Sequence, residues 1–185
     1  MIYPVVAYGD SVLRKKSREI ERDELDLVTL SNDMFETMYA ARGVGLACPQ
    51  IGITLRMFVV DGEPMDEDMA DFKRTFVNPQ ILDSNGEPWS FEEGCLSIPG
   101  IREEVLREPI IRVRYFDEKW DEHEEELIDL RARIVQHEYD HIQGVLFTDH
   151  LSNFKKRILK GKLASISKGK VEIDYKMRFP VKSRN

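Results

Sequence analysis

Cysteine is scarce in this chain: Cys48 and Cys95 are the only two in 185 residues. Two thiols make no disulfide framework, so a small scaffold held by cross-links is excluded and each thiol is read on its own. Long hydrophobic runs are also missing. No stretch approaches the roughly 20 apolar residues that a membrane-spanning helix needs. The opening MIYPVVAYGD lacks a basic region followed by an apolar one, the mark of a secretory signal. No internal repeat, low-complexity segment or linker interrupts the chain. These absences predict a cytoplasmic protein with no membrane partner, folded as a single domain over residues 1–185. The hydrophobic share of 42% and charged share of 33% give it an ordinary globular balance.

Acidic residues are nearly absent from the C-terminal end. Residues 155–184 hold eleven basic and two acidic side chains, which leaves the rest at −16 against −7 for the whole chain. A basic helix and tail from about residue 153 offers a contact with a polyanion such as ribosomal RNA. The plainer reading is the solvated face of a terminal helix. No motif for sequence-specific nucleic-acid recognition is present.

Apolar periodicity predicts an N-terminal helix over about Asp23–Ala41, with Leu27, Leu30, Met34 and Met38 at helical spacing and Arg42-Gly43 as its stop. LRMFVVD reads as a buried strand and residues 61–74 as an acidic, structure-poor loop. TFVNPQIL predicts a short strand ending at the turn signal DSNGEP. VLREPIIRVRYFD predicts one or two strands, with Pro109 at an edge or break. A helix is expected from about Asp129 to Gly144, a last helix over about Asn153–Ile166, and a short extended tail in VEIDYKMRF. The class is α+β: small antiparallel or mixed sheets packed around a central helix, with helices near both ends.

That central helix carries QHEYDHIQG, in which His137, Glu138 and His141 form H-E-x-x-H. Two imidazoles four residues apart on a helix share a face and can hold one metal ion, with the Glu placed to handle a water's proton. The third ligand decides the chemistry. The metzincin pattern puts a His three residues after the Gly, but that position is Phe147, which cannot ligate. A downstream carboxylate is a second option: Glu172 lies in the basic tail, and Asp149 and His150 begin a new segment. Upstream, Cys95 in EEGCLSIPG is a third option. Its thiolate with two imidazoles would leave a fourth position open for water.

Three separated stretches, GVGLACPQ (43–50), EGCLS (93–97) and QHEYDHIQG (136–144), resemble in order and spacing the motifs of the peptide deformylase family. The similarity extends through most of residues 1–150. It implies hydrolysis of the formyl group from the N-terminal formyl-methionine of nascent polypeptides. It also implies one divalent metal ion on Cys95, His137 and His141. The resemblance implies Fe2+ in the cell, with Zn2+, Ni2+ or Co2+ able to occupy the same ligands, and the sequence itself does not choose among them. Glu138 is then the general base and acid, while the Gln50 side chain and the Leu96 N–H meet the developing oxyanion. Gly43, Val44 and Gly45 are expected along the bound peptide. Val44, Glu93, Leu130 and Ile134 are expected at the methionine pocket, and Arg102 either near the substrate or as a plain surface arginine. Cys48 departs from the family motif, which has Ala there, and reads as packing. GVGLAC also begins like a dinucleotide fingerprint, but a helix precedes it and Cys48 stands where the last Gly or Ala belongs. The competing functions are a zincin-type metallopeptidase and a ribosome-associated module with a structural metal site.

Overall fold

The computed structural model describes residues 1–180. Its elements run β1 (Val5–Val6), α1 (Leu27–Ala40), β2 (Gly45–Ala47), β3 (Met57–Asp61), β4 (Lys73–Asn85), β5 (Trp89–Cys95), β6 (Ile98–Arg107), β7 (Ile110–Phe116), β8 (Glu122–Ile128), α2 (Asp129–Ile142), α3 (Asn153–Ser167) and β9 (Met177–Arg178). An antiparallel sheet has the order β2-β3-β4-β7-β8, β5 pairs with β6, and β1 pairs in parallel with β9.

Strand β3 shows why the sheet lies between helices. All five of its residues are buried, and its side chains alternate between two cores. Phe58 and Val60 join Phe76, Val113 and Leu127 with Ala132 and Val135 of α2. Met57 and Val59 join Leu30, Met34 and Met38 of α1. One helix therefore covers each face. A third core, under α3, gathers Ile98, Val105, Phe147, Leu159 and Leu163.

Helix α1 begins later than its periodicity suggests, because Asp26 caps it by accepting from Thr29 N at 3.0 Å. It stops where Arg42, at φ 56°, takes the left-handed conformation. The 61–74 segment is more ordered than its acidity implied. It contains a 3₁₀ turn at Glu67–Met69, buries Met69 and Phe72, and leads into β4 at Lys73. The strand expected at TFVNPQIL continues through DSN, with register shifts around Pro79. Pro109 marks the break between β6 and β7. Strands without a counterpart in the sequence analysis are β1, in Val5–Val6, β8, in EHEEELI, and β5 with the start of β6, which places EGCLS in a hairpin. The GLA of the expected Gly-rich turn is strand β2. The last helix lies as expected, and of the tail only Met177–Arg178 forms a strand. Residues 181–185 of the basic end lie outside the described residues.

Gly144 follows α2 at φ 77°, where an added Cβ would lie 2.6 Å from Arg14 O. Gly161 sits inside α3 with nothing near its missing Cβ. Gly144→Ala should therefore cost about 1–3 kcal/mol of stability, whereas Gly161→Ala should gain about 0.5–1 kcal/mol. Chemical denaturation of the two variants beside the parent checks both signs.

Candidate metal centre

Helix α2 places His137 and His141 one turn apart, and the end of β5 brings Cys95 to them. One ligand atom from each of the three lies within 4.8 Å of the others. Cys95 Sγ is 3.3 Å from His141 Nε2. His137 commits Nδ1 to Glu93 Oε2 at 2.9 Å, so Nε2 is the nitrogen left to ligate. This settles the geometric question of which upstream or downstream group joins the histidines. Phe147 is buried with its ring stacked 6.0 Å from His137. Asp149 pairs with Arg14, and His150 with Asp140. Glu172 is exposed in the tail.

The donor set suits a divalent cation. Burial alone would raise the Cys95 thiol, but His141 and His137 outweigh it and bring it down to about 5, so it is a thiolate near neutral pH. Burial likewise opposes a charge on His137, and its bonds to Cys95 and Glu93 overcome that, raising it well above its ordinary value. Two buried polar atoms beside the triad, Glu138 Oε2 and His141 Nδ1, have no hydrogen-bond partner among the described residues. Unsatisfied buried polar atoms around a thiolate and two imidazoles are what a bound cation would relieve.

Glu93 anchors the surroundings. Its buried carboxylate accepts from Arg107 at 2.7 and 3.0 Å, from Arg133 at 3.0 Å and from His137. Burial would raise this carboxyl, but His137 and Arg107 hold it well below the usual range. Arg107 continues to Asp140 at 2.9 Å. Arg133 lies 4.7 Å from the Trp89 ring centre and 5.8 Å from that of Phe91.

Glu138 is buried, and burial pushes its carboxyl up to about 7 despite the two histidines. Its near neighbour is Gly45: a Cβ there would lie 2.3 Å from Glu138 Oε1. Gly43 makes similar room for Leu96 Cδ1 at 2.8 Å. Gln50 is oriented by its own loop. Its Oε1 accepts from Ala47 N at 2.9 Å, which turns Nε2 toward Ser97 Oγ at 3.3 Å and Cys95 Sγ at 3.5 Å.

These groups open onto a cleft of about 480 Å³. Gly43, Val44, Gly45, Gln50, Glu93, Cys95, Leu96, Arg102, Ile134, His137 and Glu138 all line it. Leu130 and His141 are not among its lining residues: Leu130, in the first turn of α2, packs against the core, and His141 is buried. Arg102 is exposed and pairs with Glu92 at 2.8 Å. Cys48 packs 3.6 Å from Met34 Sδ, and burial pushes its thiol up, away from ionisation. The sequence reading missed Met65, Phe91, Arg133 and Tyr175 as lining residues. Met65 had a signal, an apolar side chain isolated in an acidic segment. The other three had none local enough to read.

A family model described as polypeptide deformylase matches residues 2–157. A peptide deformylase of Cytophaga hutchinsonii is 56% identical over 183 residues, spanning 98% of this chain and all of the relative. One from Christiangramia forsetii is 52% identical over 97% of both chains. The crystal structure of a peptide deformylase from Legionella pneumophila is 40% identical and superposes with a TM-score of 0.81, covering 91% of this chain and 96% of the other.

Because Glu93 pairs with two buried guanidinium groups and orients His137, Glu93→Gln should weaken metal retention by roughly 10–100-fold. Competition with a graded series of chelators reads this directly; unchanged retention would mean that His137 is held without the carboxylate.

Proposed function

The chain belongs to the polypeptide deformylase family, and from that premise we propose how its residues divide the work. The reaction is metal-dependent hydrolysis of the N-formyl group from formyl-methionine at the start of nascent polypeptides, releasing formate. The single-domain reading of residues 1–185, with α2 as the central helix of the active site, is part of the proposal.

Cys95, His137 and His141 hold one divalent ion, Fe2+ in the cell, with Zn2+, Ni2+ or Co2+ able to use the same donors. When bound, the ion supplies Lewis acidity and positive charge, making a water acidic enough to attack near neutral pH and favouring ionised Glu138. Glu138 Oε2 takes the attacking water's proton and passes it to the leaving amine nitrogen. Its lack of a competing hydrogen-bond partner supports that role. Gln50 Nε2 and Leu96 N–H donate to the formyl oxygen as charge builds there. Gln50 suits the task because its oxygen is already engaged by Ala47 N, which leaves the amide nitrogen facing the centre.

The peptide lies extended along β2, an edge strand whose only strand partner among the described residues is β3. Gly43, Val44 and Gly45 present backbone to it. Val44, Glu93 and Ile134 form the methionine pocket, with Leu130 supporting the wall from behind. Arg102 stands at the mouth. No helix among the described residues is long and apolar enough to cross a membrane. We place the enzyme in the cytoplasm, where formylated nascent chains arise. The basic residues of α3 would bring it to the ribosome through phosphate contacts.

The observation that carries this reading is Glu138, buried and unpartnered beside a Cys95-His137-His141 cluster. Glu138→Ala should abolish formate release from a formyl-methionyl peptide while metal content stays at the parent level. Loss of activity together with loss of metal would instead make Glu138 structural. Gln50→Ala should lower kcat on the order of a hundredfold, the usual cost of one oxyanion donor. Steady-state kinetics with metal quantified in each preparation tests both.

A further inference from the structure

Beyond α3 the chain returns to the cleft. Lys176 O accepts from Val5 N at 2.8 Å and Arg178 O accepts from Ala7 N at 2.9 Å, the hydrogen bonds that seat β9 against β1. Tyr8, next along the N-terminal segment, donates its N–H to Ser97 O at 2.8 Å. From the returning segment itself, Tyr175 Oη donates to Leu96 O at 2.7 Å. Leu96 and Ser97 are the two residues between Cys95 and Ile98, which face each other across the β5–β6 hairpin. Both carbonyls of that turn are therefore held from outside the hairpin, one by each end of the chain.

Tyr175 also lines the cleft. Its neighbour Asp174 reaches Arg42 at 2.9 Å, beside Gly43 on the β2 side. The segment thus touches both the turn that carries Leu96 and the approach to the edge strand. The Asp174–Arg42 pair is highly exposed and contributes little by itself. Tyr175 differs: it is partly buried, its hydroxyl has a defined acceptor, and it is one of the cleft's lining residues.

We propose that Tyr175 is a positioning residue for deformylation. Its hydroxyl fixes the Leu96–Ser97 peptide plane and so restrains rotation about Leu96, which steadies the adjoining Cys95–Leu96 plane that carries the Leu96 N–H, while its ring forms a wall of the peptide cleft. The inference rests on the reading of Leu96 N–H as an oxyanion donor. Such a donor works only when it is aimed in advance at the site of developing charge. A two-residue turn with an unheld carbonyl can rotate that peptide plane. The side chain that restrains it comes from residue 175, far from the three motifs.

The test uses metal-loaded enzyme and a formyl-methionyl tripeptide, with metal per chain and melting temperature measured for every variant. Tyr175→Phe keeps the ring and removes the hydrogen bond. It should lower kcat about three- to tenfold, the scale of one lost hydrogen bond, with KM, metal content and melting temperature unchanged. Tyr175→Ala should also raise KM. Gln50→Ala runs alongside to separate the two readings. If Gln50→Ala slows turnover and Tyr175→Phe keeps the parent kcat, the positioning role is overturned alone. A Tyr175→Phe loss confined to KM, or matched by lost metal or lost folded protein, also overturns it. Parent turnover in both Gln50→Ala and Tyr175→Phe removes the oxyanion-donor reading and the inference with it.

Discussion

A buried carboxylate between two guanidinium groups organises this active site. Glu93 would be neutralised by burial if it stood alone, and Arg107 and Arg133, which stay charged, would be costly to bury without it. Together they form a network that joins β5, β6 and α2, with His137 as its fourth member. The network constrains β5 and α2 relative to each other, and hence Cys95 relative to the two histidines. Glu93 also fixes which nitrogen of His137 faces the centre. Charge and geometry are supplied by one residue.

The other constraint is closeness. Gly45 lets the backbone of β2 pass against the Glu138 carboxylate, where any side chain would collide. That contact adds to the burial that raises the Glu138 carboxyl to about 7, and it puts β2 beside Glu138 in the cleft. Glycine in this strand gives up local strand propensity for an approach between two elements. The energetic cost falls on β2, which is only three residues long and is held by β3 and the helices around it.

Much of this was legible in the sequence where the signal was local. His137 and His141 declare themselves by helical spacing, and Cys95 and Gln50 stand inside short recognisable stretches. The apolar spacing of Leu27, Leu30, Met34 and Met38 gave α1. What stayed hidden depends on distant partners. Strand β8 is a run of glutamates that would be poor in isolation; it forms because Arg112 and Arg114 of β7 face Glu126 and Glu124 across the ladder. Arg133 looked like an ordinary helical arginine until Glu93 and Trp89 folded around it. Tyr175 sits in a basic tail whose composition says solvent, and only the return of the chain shows otherwise.

The parallel pairing of β1 with β9 has a consequence for how the enzyme comes into being. Val5 is made well before Met177, and the two can pair only once the chain between them has been synthesised. Helices and hairpins can form earlier, but this contact closes a loop that takes in most of the described residues and carries its closure entropy. The Leu96–Ser97 turn is held on one side by each end of that pairing. A nascent chain that has not yet reached residue 175 therefore already carries Cys95, His137 and His141 but lacks the side chain that braces the Leu96–Ser97 turn.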